Sequence, residues 1–223
     1  MGWSFSWIAV EPSAEKALIE RFGLNETDET SEMADFPLSV TRLPGWYVLH
    51  WDHEDVLVDQ DLLRELSAHG RVVAVFLEEH VMVSSAEEWH KGERVWGAVH
   101  NSELDLLHIG TEGRLPEAYA DIHRRVFSEQ EESGGAKADV DHIIEIPLAL
   151  AKHVVGYQHD MDGGSFRSAE AARPISGGAK QRPIDGAAAT HSRFDKKASR
   201  WYQEHQAARA TKAGFFGRLF GKG

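Results

Sequence analysis

Two carboxylates and an imidazole stand side by side at Glu78-Glu79-His80, between the apolar runs Val72 to Leu77 and Val81 to Val83. Neighbouring strand residues point to opposite faces, so Glu79 goes one way and Glu78 with His80 the other. One face of such a strand is core, which takes either Glu79 or the Glu78/His80 pair out of water. A carboxylate there needs a partner or a raised pKa, the condition that makes a general acid or base. Ser84, Ser85 and His100 add a hydroxyl and a base, but no nucleophile elbow or orienting acid accompanies them. The candidate catalytic groups are therefore Glu78, Glu79, His80 and His100. His50, Asp52 and His53, inside HWDHED, are metal-ligand types at close spacing, although the H-E-x-x-H spacing of a helical zinc site is missing. No Gly-rich phosphate loop follows a strand, and there is no Cys, so the sequence specifies no cofactor.

A second set of residues suits recognition. Trp89 and Trp96 flank Arg94 near the Lys91-Gly92 turn, where exposed aromatics beside a guanidinium make a binding patch. The chain ends in GFFGRLFGKG, whose Phe215, Phe216 and Phe220 suit a groove on a partner or weak contact with an anionic membrane surface.

Most of these residues belong to one stretch, Arg71 to Asn101, which reads as a long hairpin. Lys91 and Gly92 at the centre of a two-residue turn set its register. Trp89 then faces Arg94, Ser85 faces Ala98 and Val83 faces His100. Glu79, Ser85, Trp89, Trp96 and His100 share one face, and Glu78, His80, Met82, Ser84 and Glu88 the other. A bulge exchanges the faces beyond it.

Around the hairpin, period-two patterning marks a strand at Trp3 to Val10, and Pro37 to Val40, Trp46 to Trp51, Leu104 to Ile109 and Val140 to Ile146 read as further strands, the last of them buried. Helices are expected from Pro12 to Gly23, around Leu62, Leu63 and Leu66, from Pro116, and from Pro147 to Gly156. Asn25 to Asp35 is acidic with little to bury and reads as a loop. Consecutive strands without intervening helices predict an α+β fold: a mixed, largely antiparallel sheet with a long central hairpin and helices packed on one side. Residues 1–161 form the domain, 162–190 a Gly/Ala/Ser-rich linker, and 191–223 a basic tail with a helix around Trp201 and an aromatic end.

The string EEHVM-x-SSAE-x-W-x-x-G-x-x-VW-x-x-x-H, carried by Glu78 to His100, resembles a motif of a group of uncharacterised bacterial proteins. The similarity runs from GWSFSWIAV to about Asp160 and stops before the tail. It implies a bacterial cytosolic protein and assigns no catalytic residue.

Charge separates the chain into two parts. Through Met161 there are 12 Lys+Arg against 31 Asp+Glu, a net of −19, and the remainder carries +7. An acidic domain repels nucleic acid, so affinity for polyanions falls to the tail. No apolar run reaches the roughly 18 residues of a membrane span, and the expected location is the cytoplasm. The expectation is a non-enzymatic interaction or regulatory module with a protein partner. The alternative is a hydrolase or other small-molecule enzyme using Glu79 or Glu78/His80, with or without a divalent metal.

Overall fold

The structure, a computed structural model, describes residues 3–51, 60–161, 163–173 and 175. Among these residues nine strands form a single sheet: β1 (Ser4–Val10), β2 (Leu24–Ser31), β3 (Leu38–Leu43), β4 (Trp46–Trp51), β5 (Val72–Glu78), β6 (Val83–His90), β7 (Glu93–Asn101), β8 (Gly110–Gly113) and β9 (Phe166–Ala171). Their order across the sheet is β2-β9-β3-β4-β1-β5-β6-β7-β8, and every pairing is antiparallel. Among the described residues four α-helices complete the α+β fold: α1 (Pro12–Phe22), α2 (Gln60–Ser67), α3 (Tyr119–Glu132) and α4 (Glu145–Val155).

The central strands are apolar on both sides because both sides are covered. Phe5, Trp7 and Ala9 of β1 join Val73, Val75 and Leu77 of β5 in a core closed by Val126 of α3 and Ile146 and Leu150 of α4. Ile8 and Val10 pack on the other side with Ala14, Leu18 and Phe22 of α1 and Leu62, Leu63 and Leu66 of α2. The helices thus lie on both faces, not on one. Period-two patterning fixes that a strand alternates, but a strand buried twice does not say which helix covers which side.

Helix α1 follows from its sequence directly. Pro12 occupies the first turn, apolar side chains recur every fourth residue, and Gly23 ends it in the left-handed region with φ 62°. Its N–H returns to the Ile19 carbonyl.

Several expected elements change. Asn25 to Ser31 is not loop but most of β2, a border strand paired only with β9, so it tolerates acidic residues. Val140 to Ile146 is a turn leading into α4 rather than a strand, and Leu104 to Ile109 is a set of turns before β8. The domain does not stop at 161. Strand β9, inside the expected linker, pairs with both β2 and β3 and buries only Phe166 and Ala169, too little apolar material to stand out. The net charge stays at −19 when the boundary moves to Ile175, because residues 162–175 contribute two cations and two anions. The tail, with Phe215, Phe216 and Phe220, lies outside the described residues.

The expected hairpin is a three-stranded meander, β5-β6-β7, since the chain turns at Glu79 to Met82. The Lys91-Gly92 turn is where the sequence places it, with φ 55° and 78° at the two residues. Trp89 pairs with Arg94, but Glu88 then pairs with Trp96, leaving Val95 as an extra residue. This bulge turns Trp96, Ala98 and His100 onto the α3/α4 face, while Trp89 packs on the α1/α2 face. The Val95 carbonyl accepts the Arg114 N–H at 2.9 Å, and a Cβ on Gly113 would approach that oxygen to 2.2 Å.

Candidate functional site

The candidate polar residues gather at one border of the sheet. Ser4 pairs with Glu78, Ser6 with Trp51, and Val83 with Asn101, so β1 begins where β4, β5 and β7 end. Two distinct constellations occupy this border.

In the first, Glu78 is buried and fully engaged. One carboxylate oxygen accepts the Ser4 hydroxyl at 2.7 Å. The other accepts the His80 backbone N–H at 2.9 Å and lies 2.6 Å from His80 Nδ1. Burial works to raise the Glu78 pKa, but the Ser4 and His80 hydrogen bonds outweigh it and hold the group below the ordinary carboxylate range. His80 keeps a side-chain exposure of 58%. The result is a carboxylate-oriented imidazole at the surface, the orienting half of an acid–base pair. Glu79 does something different: its carboxylate accepts the Trp3 backbone N–H at 2.8 Å and its own N–H donates to the Trp3 carbonyl at 2.9 Å. It ties the start of β1 to the β5–β6 turn. Replacing Ser4 with Ala is expected to raise the Glu78 carboxyl toward its ordinary range and to cost about 1 kcal/mol, read by carboxyl NMR titration and urea unfolding.

The second constellation centres on His100, which is fully buried. Its Nδ1 lies 2.6 Å from the His108 carbonyl oxygen and its Nε2 2.7 Å from Asp141 Oδ2. Asp141 Oδ1 accepts the Ile144 N–H, and Ser84, the ladder partner of His100, donates its hydroxyl to the Ile144 carbonyl at 2.7 Å. Ser84 is therefore a strut between β6 and the entry to α4, and Ser85 points to the opposite face. Gln130, also fully buried, holds the same segment: its amide donates to the Gly135 and Val140 carbonyls and its oxygen accepts the His142 N–H.

His108 stands beside His100 with ring centroids 6.3 Å apart. Its Nδ1 accepts the Asn101 N–H at 3.0 Å, which requires that nitrogen to be bare. Burial, reinforced by the neighbouring His100, pushes the His108 pKa down to about 4. The unfolded chain takes up a proton near 6.5 that folded His108 refuses until about 4. Stability is thus complete above that window and falls as pH drops through it, by roughly 3 kcal/mol at most. Urea midpoints measured between neutral pH and pH 4, wild type against His108→Asn, read this difference.

The remaining candidates settle into structure. His50 is buried, with its Nδ1 3.0 Å from the Tyr157 hydroxyl oxygen and its ring stacked on Phe5. Asp52 and His53 lie outside the described residues, among which no three His, Asp or Glu side chains converge as a cation would need. Trp89 and Trp96 form no exposed patch, because the Val95 bulge sends them to opposite cores. The Trp89 indole donates to Glu87, the Trp96 indole to Glu88, and Arg94 bridges Glu87 and Glu112.

Ser4, His108, Gln130 and Asp141 were not legible as site residues. Asp141, directly before an apolar helix, carries a turn-capping signal, but nothing in its local sequence points to His100. Among the described residues no helix is long and apolar enough to cross a membrane. No family model matches the chain, and neither a curated protein nor a solved structure is significantly similar to it.

Proposed function

We propose that the protein is a non-enzymatic interaction module of the bacterial cytosol, belonging to the group its Glu78 to His100 motif resembles. Its acidic domain recognises a protein partner with a basic surface, and the basic, aromatic tail supplies a second contact.

One observation carries this reading: the domain's negative charge is not neutralised from within. Several of its arginines are already engaged, Arg42 with Glu15 and Glu26, Arg71 with Glu88, Arg94 with Glu87 and Glu112. Carboxylates in excess of these pairs face solvent, among them Asp28, Glu29, Glu32 and Asp35 along β2 and the turn after it, beside half-exposed Met33. Such a field attracts a basic partner and steers its approach. Two of the candidate catalytic groups also have structural duties, Glu79 on the Trp3 amide and His100 between His108 and Asp141.

Co-purification from the native host at low salt tests the proposal, using the full chain and a chain ending at Ile175, which keeps all nine strands. A stoichiometric basic protein, released as salt rises and bound more weakly by the shorter chain, is the expected result. Recovery of the protein alone at low salt argues against it.

The Glu78–His80 pair favours a second reading, a hydrolase or other acid–base enzyme acting on a small molecule, with or without a divalent metal. Here His80 exchanges the proton while ionised Glu78 positions it. Activity lost in both Glu78→Gln and His80→Gln but kept in Glu79→Gln supports this reading, whereas activity indifferent to both removes it.

A further inference from the structure

We propose that the segment linking β7 to β8, residues 102–109, is a two-sided proton latch, closed only while His100 carries both ring protons and His108 Nδ1 carries none. The demand on each ring comes from what it faces. A backbone carbonyl has no proton to give, so His100 Nδ1 must donate to the His108 oxygen at 2.6 Å. An ionised carboxylate likewise only accepts, so a proton lies between His100 Nε2 and Asp141 Oδ2 at 2.7 Å. Together the two bonds describe an imidazolium–carboxylate pair with no exposed surface on the imidazole and 4% on the carboxylate side chain. Remove one proton and the pair becomes a buried net negative charge, with a nitrogen lone pair directed at a carboxylate.

His108 imposes the opposite demand. Its Nδ1 receives the Asn101 N–H, so adding a proton there breaks the bond and sets a second cation beside His100. Base releases the latch at His100 and acid releases it at His108. The other charged group acting on His108 is Asp105, whose carboxylate favours the protonated form of His108 and accepts the Leu107 N–H. Both His100 nitrogens are already engaged, by the His108 carbonyl and by Asp141.

Two segments move when the latch opens. One is 102–109, carrying the exposed Leu104, and the other is the approach to α4, carrying the exposed Val140. The first adjoins the β5–β6 turn that carries His80, because the Ser102 N–H donates to the Met82 carbonyl at 3.1 Å. The latch therefore couples local pH to the shape of that turn, whether or not the domain binds a basic partner.

The test is a pH titration of the full chain by NMR, following the imidazole nitrogens of His100 and His108 and the hydrogen-exchange protection of the Asn101 amide. At neutral pH both His100 nitrogens should carry hydrogen and His108 Nδ1 should be bare. Protection of Asn101 should pass through a plateau and fall on each side, by about tenfold per pH unit once one linked proton is gained or lost. In Asp141→Asn the side-chain amide donates to a neutral His100, so the alkaline fall should vanish while the acid fall stays. In His108→Asn the acid fall should vanish and the alkaline fall stay. A bare His100 Nε2 at neutral pH in the wild type, or protection factors flat across the range, overturns the proposal without recourse to either variant.

Discussion

Replacing Asp141 with alanine is expected to destabilise the fold by about 1–3 kcal/mol, because it leaves the buried His100 Nε2 without its hydrogen-bond partner. The His100 ring has no route to water, and the Asp141 carboxylate is nearly as enclosed. The same substitution removes the acceptor for the Ile144 N–H, loosening the turn that Ser84 also grips. Asp141→Ala combined with His100→Leu should cost less than Asp141→Ala alone, since an apolar side chain leaves no unpaired buried nitrogen. Urea unfolding of these two variants and of His100→Leu alone decides it. Additive losses would mean that the pair contributes no coupling.

Deleting Val95 should be worse. Removing the extra residue restores a regular ladder, and the register past Trp89 slips by one. Trp96, Ala98 and His100 would then turn away from the α3/α4 core, and Gly97 and Val99 would turn into it. The hydrogen bonds of Trp96 to Glu88 and of His100 to Asp141 cannot survive that exchange. Loss of a cooperative unfolding transition by circular dichroism is the expected outcome. A folded protein with a loss near 1 kcal/mol would show that the bulge is local and that the two faces are not specified by it. Substituting Val95 with Thr, which keeps the chain length, should leave the fold intact and separates register from side-chain loss.

The bulge also marks where the sequence stops being readable. Lys91-Gly92 announces its turn because both residues must take positive φ, a demand with a recognisable residue preference. An extra residue one step further along has no such signature: Arg94-Val95-Trp96 looks like any strand. One unseen residue was enough to reverse the faces of Trp96 and His100 and so to dissolve the expected Trp89–Trp96 patch. Polar strands were lost for a related reason. β2 and β9 are held by backbone hydrogen bonds along a border where few side chains need burying, so Asn25 to Ser31 resembled a loop and Phe166 to Ala171 a linker. The central strands and the C-terminal ends of α1 and α4 were legible, because a run of apolar residues and a glycine after the last turn are local facts. Glu78 and His80 were legible together for the same reason. The partners that define what they do were not. Ser4 reaches Glu78 across 74 residues and Asp141 reaches His100 across 41.

The most direct test of the interaction reading is a comparison of two surface changes in one binding measurement. Asp28, Glu29 and Glu32 replaced by Lys should abolish capture of the basic partner at low salt. His80→Ala, which leaves the acidic strip untouched, should retain it at wild-type strength. If the lysine variant binds as well as wild type while His80→Ala fails, the acidic surface is not the recognition element, and the Glu78–His80 pair is the site.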